Sequence, residues 1–367
     1  MSQSTSIVRS GHELDHESLE AYLVKTIPGF SVPLQISQFN HGQSNPTYLL
    51  RDRNNQQYVL RKKPPGNLLS KTAHAVEREY RIIHALGCHT DVPVPKVYTL
   101  CEDNSVIGTP FYVMEFLKGR IFGDVKMLDL PFEERGQCWF AAIGTLAKLH
   151  AVDYEAIGLK DYGKNAGFFT RQMKSLLRVS QAQAAVVDEE TMTPVGPIPG
   201  LDEMFAWFER NQVEDRSTIV HGDFKIDNIV FHPTEPRVIG ILDWELSTIG
   251  HPLSDLSNLL QPYYVPNQSD SNGLRGVQEL PIPNPEELMR HYCLQLGTIN
   301  YPIQNWPFAV AFSFFRLAVI GQGIAARVAR KQASSAQAKL YAQKFKLIAY
   351  LALEIVNQGD LSAKSKL

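Results

Sequence analysis

The sequence predicts an α+β protein of two lobes, a small N-terminal lobe built on an antiparallel sheet and a larger, mostly helical C-terminal lobe. Three observations predict it. Strand-like stretches separated by turn residues crowd between residues 34 and 117. Lys118-Gly119 then reads as a joint. Beyond it the apolar residues recur mainly at helical spacing, and short strands return only around residues 218–242. A chain of 367 residues has room for two lobes and a buried core. The expected boundaries are a lead-in over 1–30, an N-lobe over 31–117, a C-lobe over 118–358 and a tail over 359–367.

The elements follow in order. A short helix is expected over His16–Ile27 and ends at Pro28-Gly29. Strands follow at Leu34–Phe39, Thr47–Arg51 and Tyr58–Lys62, the last two joined by Asp52-Arg53-Asn54-Asn55, which supplies turn chemistry. A helix is expected from about Thr72 to Leu86, with Val76, Ile83 and Leu86 on one apolar face. Glu79 lies on that same face and Glu77 does not. An inward carboxylate calls for a cationic partner, because burying an unpaired charge is costly. A Glu at the rim of the stripe fits the spacing equally well. Pro93-Val94-Pro95 breaks the chain before strands at Lys96–Cys101 and Phe111–Leu117. Helices are expected over Glu133–His150, Phe168–Ala184 and Leu201–Asn211, and again through Pro285–Val356. Val186–Gly200, with three prolines and no periodicity, reads as a mobile loop.

Composition excludes several classes. A net charge of −2 offers no field for nucleic acid or an anionic membrane. The four cysteines show no Cys-x-x-Cys spacing, which argues against a disulfide framework or a zinc site and suits a reducing compartment. The N-terminus lacks the order of a secretory signal. The longest apolar run, Phe308–Ile320, is interrupted by Arg316 and falls short of the about 20 residues of a membrane span, so it reads as a buried helix. Ser365-Lys366-Leu367 matches a receptor-read peroxisomal address. It predicts recognition by the peroxisomal import receptor and a peroxisomal location, with a cytoplasmic protein carrying an inert tail as the alternative.

The richest stretch runs from Val220 to Glu245. It reads Val220-His221-Gly222-Asp223-Phe224-Lys225-Ile226-Asp227-Asn228-Ile229-Val230-Phe231 and, after a turn, Val238-Ile239-Gly240-Ile241-Leu242-Asp243-Trp244-Glu245. Asn228 follows Asp223 by five positions, and Asp243 closes an apolar run fifteen later. Phosphoryl transfer needs a nucleophile held in line and positive charge on the phosphates. A loop carboxylate at Asp223 can take or orient the proton of an alcohol. Asn228 offers a neutral oxygen and Asp243 a charged one, which suits Mg²⁺. Turn residues and a cap are the bland reading of the same three. His221 reads as a structural group bonded to loop backbone rather than as a proton carrier.

These residues resemble the catalytic signature of the aminoglycoside phosphotransferase and choline kinase superfamily, over roughly residues 30–350. The resemblance implies a protein-kinase-like fold, ATP and Mg²⁺ as cofactors, Asp223 as catalytic base, and Asn228 and Asp243 as magnesium ligands. It also implies a strand cation paired with a helix carboxylate over the α- and β-phosphates. Glu79 matches the carboxylate. Arg61 is favoured as the cation and Lys62 is the runner-up, the two pointing to opposite faces of a strand. Arg departs from the usual Lys there, yet it can clamp phosphate bidentately. The matching phosphate loop, His41-Gly42-Gln43-Ser44-Asn45, has one glycine, and backbone N–H groups with the Ser44 hydroxyl would cap a phosphate. Glu115-Phe116-Leu117 matches the adenine-binding linker, where backbone would read the base. Met114 reads as a core or gatekeeper residue.

Val59–Gly66, Ala73–Glu79, Asp161-Tyr162-Gly163 with Arg171-Gln172, Asp243–Gly250, and Phe315-Arg316-Leu317 with Gly323 and Arg327 are similar to a narrower branch, the phosphotransferase domain fused to certain acyl-CoA dehydrogenases. That branch implies a small hydroxyl-bearing acceptor, a hydroxyacyl-CoA of fatty-acid breakdown. His251 replaces an acidic residue often found there, and Asp255 matches a structural brace. Arg171, Lys174 and Arg178 share a helical face that is either solvated or meets acceptor phosphates. Arg316 and Arg327, eleven apart in an apolar stretch, are either ion-paired or line a pocket. Trp244 and Trp306 read as packing. Two functions follow: an active ATP- and Mg²⁺-dependent small-molecule kinase, or a silent kinase-like protein that binds nucleotide or acyl-CoA. Other acceptors open to a kinase are amino alcohols, aminoglycosides and sugars.

Overall fold

A computed structural model of the chain describes residues 5–39, 45–64, 75–268, 272–332 and 338–364, with the side chains of 339–341 and 360–364 left out. Ser44 with residues 40–43, Pro65, Gly66, Ala73 and His74 of the segments read from resemblance, and the C-terminal Ser365-Lys366-Leu367 lie outside the described residues.

The elements are β1 (Thr5–Ser6), α1 (His16–Thr26), β2 (Gln35–Phe39), β3 (Thr47–Arg51), β4 (Gln57–Lys62), α2 (Val76–His89), β5 (Val97–Cys101), α3 (Asn104–Ile107), β6 (Phe111–Glu115) and α4 (Phe132–His150). They continue as α5 (Phe168–Ala184), α6 (Leu201–Arg210), β7 (Thr218–Val220), β8 (Ile229–Phe231), β9 (Val238–Ile241), β10 (Thr248–Gly250), α7 (Leu253–Leu260), α8 (Pro285–Leu296), α9 (Trp306–Ala329) and α10 (Ala338–Lys364). The chain divides into two compact units, one of residues 1–162 with 221–248, the other of 163–220 with 249–367.

The first unit is built on a sheet ordered β1-β2-β3-β4-β6-β5, whose strand pairs are antiparallel. Side chains alternate across it because a strand has a period of two. Tyr58 and Leu60 of β4 join Tyr48, Leu50, Phe111 and Val113 in a core closed by Leu19 and Leu23 of α1. Lys62 shares that face of β4 and is buried. Asp15 caps α1, its carboxylate accepting the Ser18 N–H at 3.0 Å. Helix α2 begins at Val76 after Ala75, later than the periodicity predicts, and continues past Leu86 to His89. Its apolar stripe, Val76, Ile82, Ile83 and Leu86, is buried, and Glu79 is buried with it. The β8–β9 hairpin belongs to this unit. Arg120, just past the predicted joint, forms a two-way backbone bridge with Phe231 of β8, its N–H donating and its carbonyl accepting at 2.8 Å each.

The second unit packs around α9, whose Phe308, Phe312 and Phe315 meet Phe169 of α5 and Phe208 of α6 in an aromatic cluster. Helix α9 is long and apolar enough to cross a membrane, but 72% of its apolar window is buried within the protein, as in a core helix. Arg327 is exposed near its end. Helix α8 opens on a full capping box, Asn284 with Glu287, and carries Pro285 at its first turn. Val186–Gly200 is tied by hydrogen bonds: Val187 bridges Pro194, and the Asp188 carboxylate accepts the N–H groups of Glu190 and Thr191 at 2.9 Å each. Proline content and lost periodicity do not report such side-chain-to-backbone turns. The helix at the end runs on through Gly359 to Lys364. The four cysteines are free thiols, and only Cys88 is exposed.

Candidate active site

Within the first unit, antiparallel register and one buried helix bring Arg61, Glu79 and Asp243 together. Val59 and Arg61 lie on the face of β4 opposite Leu60. Arg61 thereby meets α2, where its Nε lies 2.9 Å from Glu79 Oε2. Its Nη2 donates to Asp243 Oδ1 at 2.7 Å and to Glu245 Oε2 at 3.1 Å. One guanidinium therefore gathers three carboxylates, Glu79 from α2 and Asp243 with Glu245 from the stretch after β9. Lys62, one residue on, faces the other way and, among the described residues, donates to the Ile107 carbonyl at 3.4 Å. Burial pushes its ammonium pKa down.

Glu79 is 1% exposed and fully engaged. Asn45 donates to its Oε1 at 2.8 Å, and the Tyr112 hydroxyl donates to its Oε2 at 3.0 Å. The facing argument from sequence left an inward Glu and a rim Glu equal; the structure places it inward. Burial raises the Glu79 pKa to about 7, against the pull of Arg61 and the Tyr112 hydrogen bond. Burial opposes the charge on Arg61 too, but Glu79 and Asp243 outweigh it and hold the guanidinium protonated. Burial likewise opposes ionisation of Asp243, and Arg61 overrides it, keeping that pKa below the ordinary carboxylate value.

The loop after β7 places the second half of the site. Gly222 has φ +86°, a left-handed turn that exposes Asp223 to the site. Asn228 donates its amide N–H to the Asp223 carbonyl at 2.9 Å and to Asp223 Oδ2 at 3.1 Å. That leaves the Asn228 side-chain oxygen as the atom able to accept a cation. The Leu242 N–H donates to the Asn228 carbonyl at 2.8 Å, so the residue before Asp243 is stitched to Asn228 by backbone. Asp243 itself has φ +66°, a conformation that costs a non-glycine residue roughly 1–3 kcal/mol and tends to gather at functional sites. His221 is buried and uses both nitrogens on backbone. Nε2 donates to the Leu242 carbonyl at 2.9 Å and Nδ1 accepts the Asp223 N–H at 3.2 Å. It ties the loop bearing Asp223 to the strand end bearing Asp243. Lys225, which spacing had not singled out, places its ammonium 3.4 Å from Asp223 and 3.3 Å from Asp227. Burial lowers its pKa, and those two carboxylates more than reverse the effect.

Asn228 and Asp243 offer hard oxygen donors of the kind Mg²⁺ takes, and Mg²⁺ keeps several waters rather than a full protein cage. Among the described residues no group of three His, Cys, Asp or Glu gathers as a metal cluster, so two side chains plus water or phosphate oxygens is the coordination the donors suit. Glu115 spends its carboxylate on the Lys96 N–H at 3.1 Å. Leu117 packs so closely on Gly240 that a Cβ there would lie 2.1 Å from its Cδ1. Trp244 and Trp306 are packing residues, donating to the Ile241 carbonyl at 2.9 Å and the Tyr264 hydroxyl at 2.7 Å. In the second unit, His251 is buried against the Glu214 carbonyl at 2.9 Å and Asp255 is buried in α7. Arg171 donates to the Lys164 carbonyl at 2.9 Å, while Lys174 and Arg178 are solvated.

Comparison with known proteins agrees with this geometry. The chain is 42% identical over 347 residues to the Arabidopsis thaliana "Probable acyl-CoA dehydrogenase IBR3", covering 90% of this chain and 41% of that protein. It is 40% identical over 363 residues to rat "Acyl-CoA dehydrogenase family member 11", covering 97% of this chain and 45% of that one. It thus spans less than half the length of these curated relatives. A crystal structure from Ralstonia eutropha JMP134, of a protein provisionally named an aminoglycoside phosphotransferase, matches at 39% identity and a TM-score of 0.80, covering 94% of this chain and 99% of that one. The kinase-like fold expected from the residues is thereby established. With residues 35–289 matched by the model of the phosphotransferase enzyme family, over well more than half its length, the chain belongs to that family.

Proposed function

We propose that this chain is a kinase of a small-molecule alcohol, transferring the γ-phosphoryl group of ATP with Mg²⁺, and that its acceptor class is a hydroxyacyl-CoA thioester. The observation that carries the reading is the Arg61 cluster, one cation tied to Glu79 on one side and to Asp243 on the other. In this reading Arg61, paired by charge with Glu79, meets the α- and β-phosphates. Lys62, aimed at the opposite face, takes no part. The backbone of Glu115 through Leu117 takes the adenine. Asn228 and Asp243 would hold the metal, which would supply positive charge against that of the phosphates.

Asp223 accepts the proton of the acceptor hydroxyl as the acceptor oxygen bonds to the γ-phosphorus. The bond from that phosphorus to the β-bridging oxygen breaks, and its electron pair leaves on ADP. Asn228 keeps Asp223 pointed by donating to its Oδ2. Lys225, between Asp223 and Asp227, adds positive charge beside the transferring group. The hydroxyacyl-CoA part is supported by similarity to relatives named as acyl-CoA dehydrogenases, at 40–42% identity.

A silent nucleotide-binding protein is the second reading, motivated by Asp243 Oδ1 already being held by Arg61. ATP consumption across hydroxyacyl-CoA chain lengths, with amino-alcohol, aminoglycoside and sugar controls, separates the two. The kinase reading expects turnover that chelation of Mg²⁺ abolishes and that Asp223→Asn lowers by roughly 10²–10⁴-fold with ATP affinity kept. Turnover with a control acceptor alone overturns the acyl-CoA assignment and leaves the kinase. ATP binding without turnover on any acceptor favours the silent protein.

A further inference from the structure

Tyr112 is the residue of the Arg61 cluster to which neither spacing nor resemblance assigns a role. The antiparallel register pairs it directly with Arg61 across β4 and β6. Cross-strand partners point to the same face, so both side chains reach α2. They land on one atom. Glu79 Oε2 takes the Tyr112 hydroxyl at 3.0 Å and faces Arg61 Nε at 2.9 Å. The other oxygen, Oε1, takes Asn45 at 2.8 Å. The phenol ring is 1% exposed, so its packing is set by the core and only its hydroxyl acts on the carboxylate.

We propose that Tyr112, with Asn45 beside it, is a positioning residue that sets where Arg61 sits by fixing the Glu79 carboxylate. The consequence for phosphate binding rests on the kinase reading above; the positioning itself does not. Arg61 is shared between Glu79 on one side and Asp243 with Glu245 on the other. The firmer its ion pair with Glu79, the more of the Asp243 carboxylate stays available as a metal ligand. Two neutral donors on Glu79 tip that division by geometry: with Asn45 on Oε1 and Tyr112 on Oε2, the carboxylate is held facing Arg61 Nε, and losing either donor frees it to turn away. Burial and the neighbouring Glu79 keep the Tyr112 hydroxyl pKa well above its ordinary value, so it stays a donor at working pH. The charged and titratable groups acting on Glu79 are Arg61 from β4, Tyr112 from β6, Asp243 and Glu245 from the loop after β9, and Tyr162 after α4.

Tyr112→Phe tests the idea while keeping the ring. The first measurement uses ligand-free protein: exchange of the Arg61 Nε–H with water, followed by ¹⁵N NMR. The expected result is exchange accelerated by about tenfold or more in Tyr112→Phe, the effect of losing a hydrogen bond to a charged group. The second is steady-state kinetics, with KM for ATP rising roughly five- to tenfold while kcat changes less than about twofold. Asn45→Ala should shift both readouts in the same direction. An unchanged Arg61 signal in Tyr112→Phe overturns the proposal, and so does a fall in kcat with KM unmoved. Should wild-type protein fail to bind ATP, the kinase reading falls, whereas the NMR comparison still decides the positioning role.

Discussion

Arg61 and Glu79 set the electrostatics of this protein from a single buried contact. An ion pair taken out of water is costly to make and costlier to break, since removing one partner strands the other. The Glu79 carboxyl, raised by burial from an ordinary 4.5 to about 7, makes a testable link between pH and stability. A folded-state pKa above the unfolded one means that the folded state holds the proton more tightly. Its contribution to stability is complete below about 4.5 and is lost as pH rises through about 7. Wild-type protein should therefore lose stability relative to Glu79→Gln across that window, measured by urea unfolding at pH 5, 6, 7 and 8. A gap that stays constant, or moves in the opposite direction, would contradict the assignment. Residue types and spacing alone named Asp223, Asn228 and Asp243. Tyr112 and Lys225 escaped notice, because one is an aromatic in an apolar strand and the other a lysine inside a loop motif. Only the register and the turn bring them to carboxylates.

Local elements hold these side chains through backbone. The Asp223 loop and the β8–β9 hairpin are stitched by Leu242 to Asn228 and by His221 to both Leu242 and Asp223. Gly222 is a tight point in this loop. A Cβ there would lie 2.5 Å from the Leu246 carbonyl oxygen, on top of a φ of +86°. Gly222→Ala should cost more than backbone strain alone, roughly 2–4 kcal/mol, and lower turnover more than tenfold by displacing Asp223. Gly108→Ala is the control, since it shares a φ of +84° but meets nothing within 4 Å, and should cost only about 1 kcal/mol with turnover kept. Urea unfolding and ATP turnover of the two variants check the difference. Most strands and helices were legible to within a few residues, because burial on one face imposes a period of two or 3.6 on the sequence. The three-residue strand β10 and the short helices α3 and α7 were not, being too short to show a period.

At the scale of the whole molecule, each unit has a buried core of its own among the described residues. In the second unit Phe208 is fully buried among Phe308, Phe312 and Phe315, with ring centroids 5.5, 5.6 and 5.9 Å away. Phe208→Ala should cost about 3–5 kcal/mol, since it removes apolar contact and leaves a cavity in a close-packed interior. Denaturant unfolding measures it. The same core explains why α9 passes a length and hydropathy test for a membrane span: a helix surrounded by aromatic neighbours is apolar nearly all round. The chain spans less than half the length of its curated relatives, so what a full-length relative does is a question separate from what these residues support.

The sequence by itself determined the fold class, the order of its elements and the three polar residues at five- and fifteen-residue spacing. These are local properties: periodicity reports which face is buried, and a loop motif carries its own geometry. Tertiary structure decided which of two adjacent cations meets Glu79, that Glu79 points inward, and that Asn45 and Tyr112 complete its shell. Those outcomes depend on strand register and on where a helix lands on a sheet. Contacts such as Arg61 to Asp243, 182 residues apart, leave no periodic trace in a single chain.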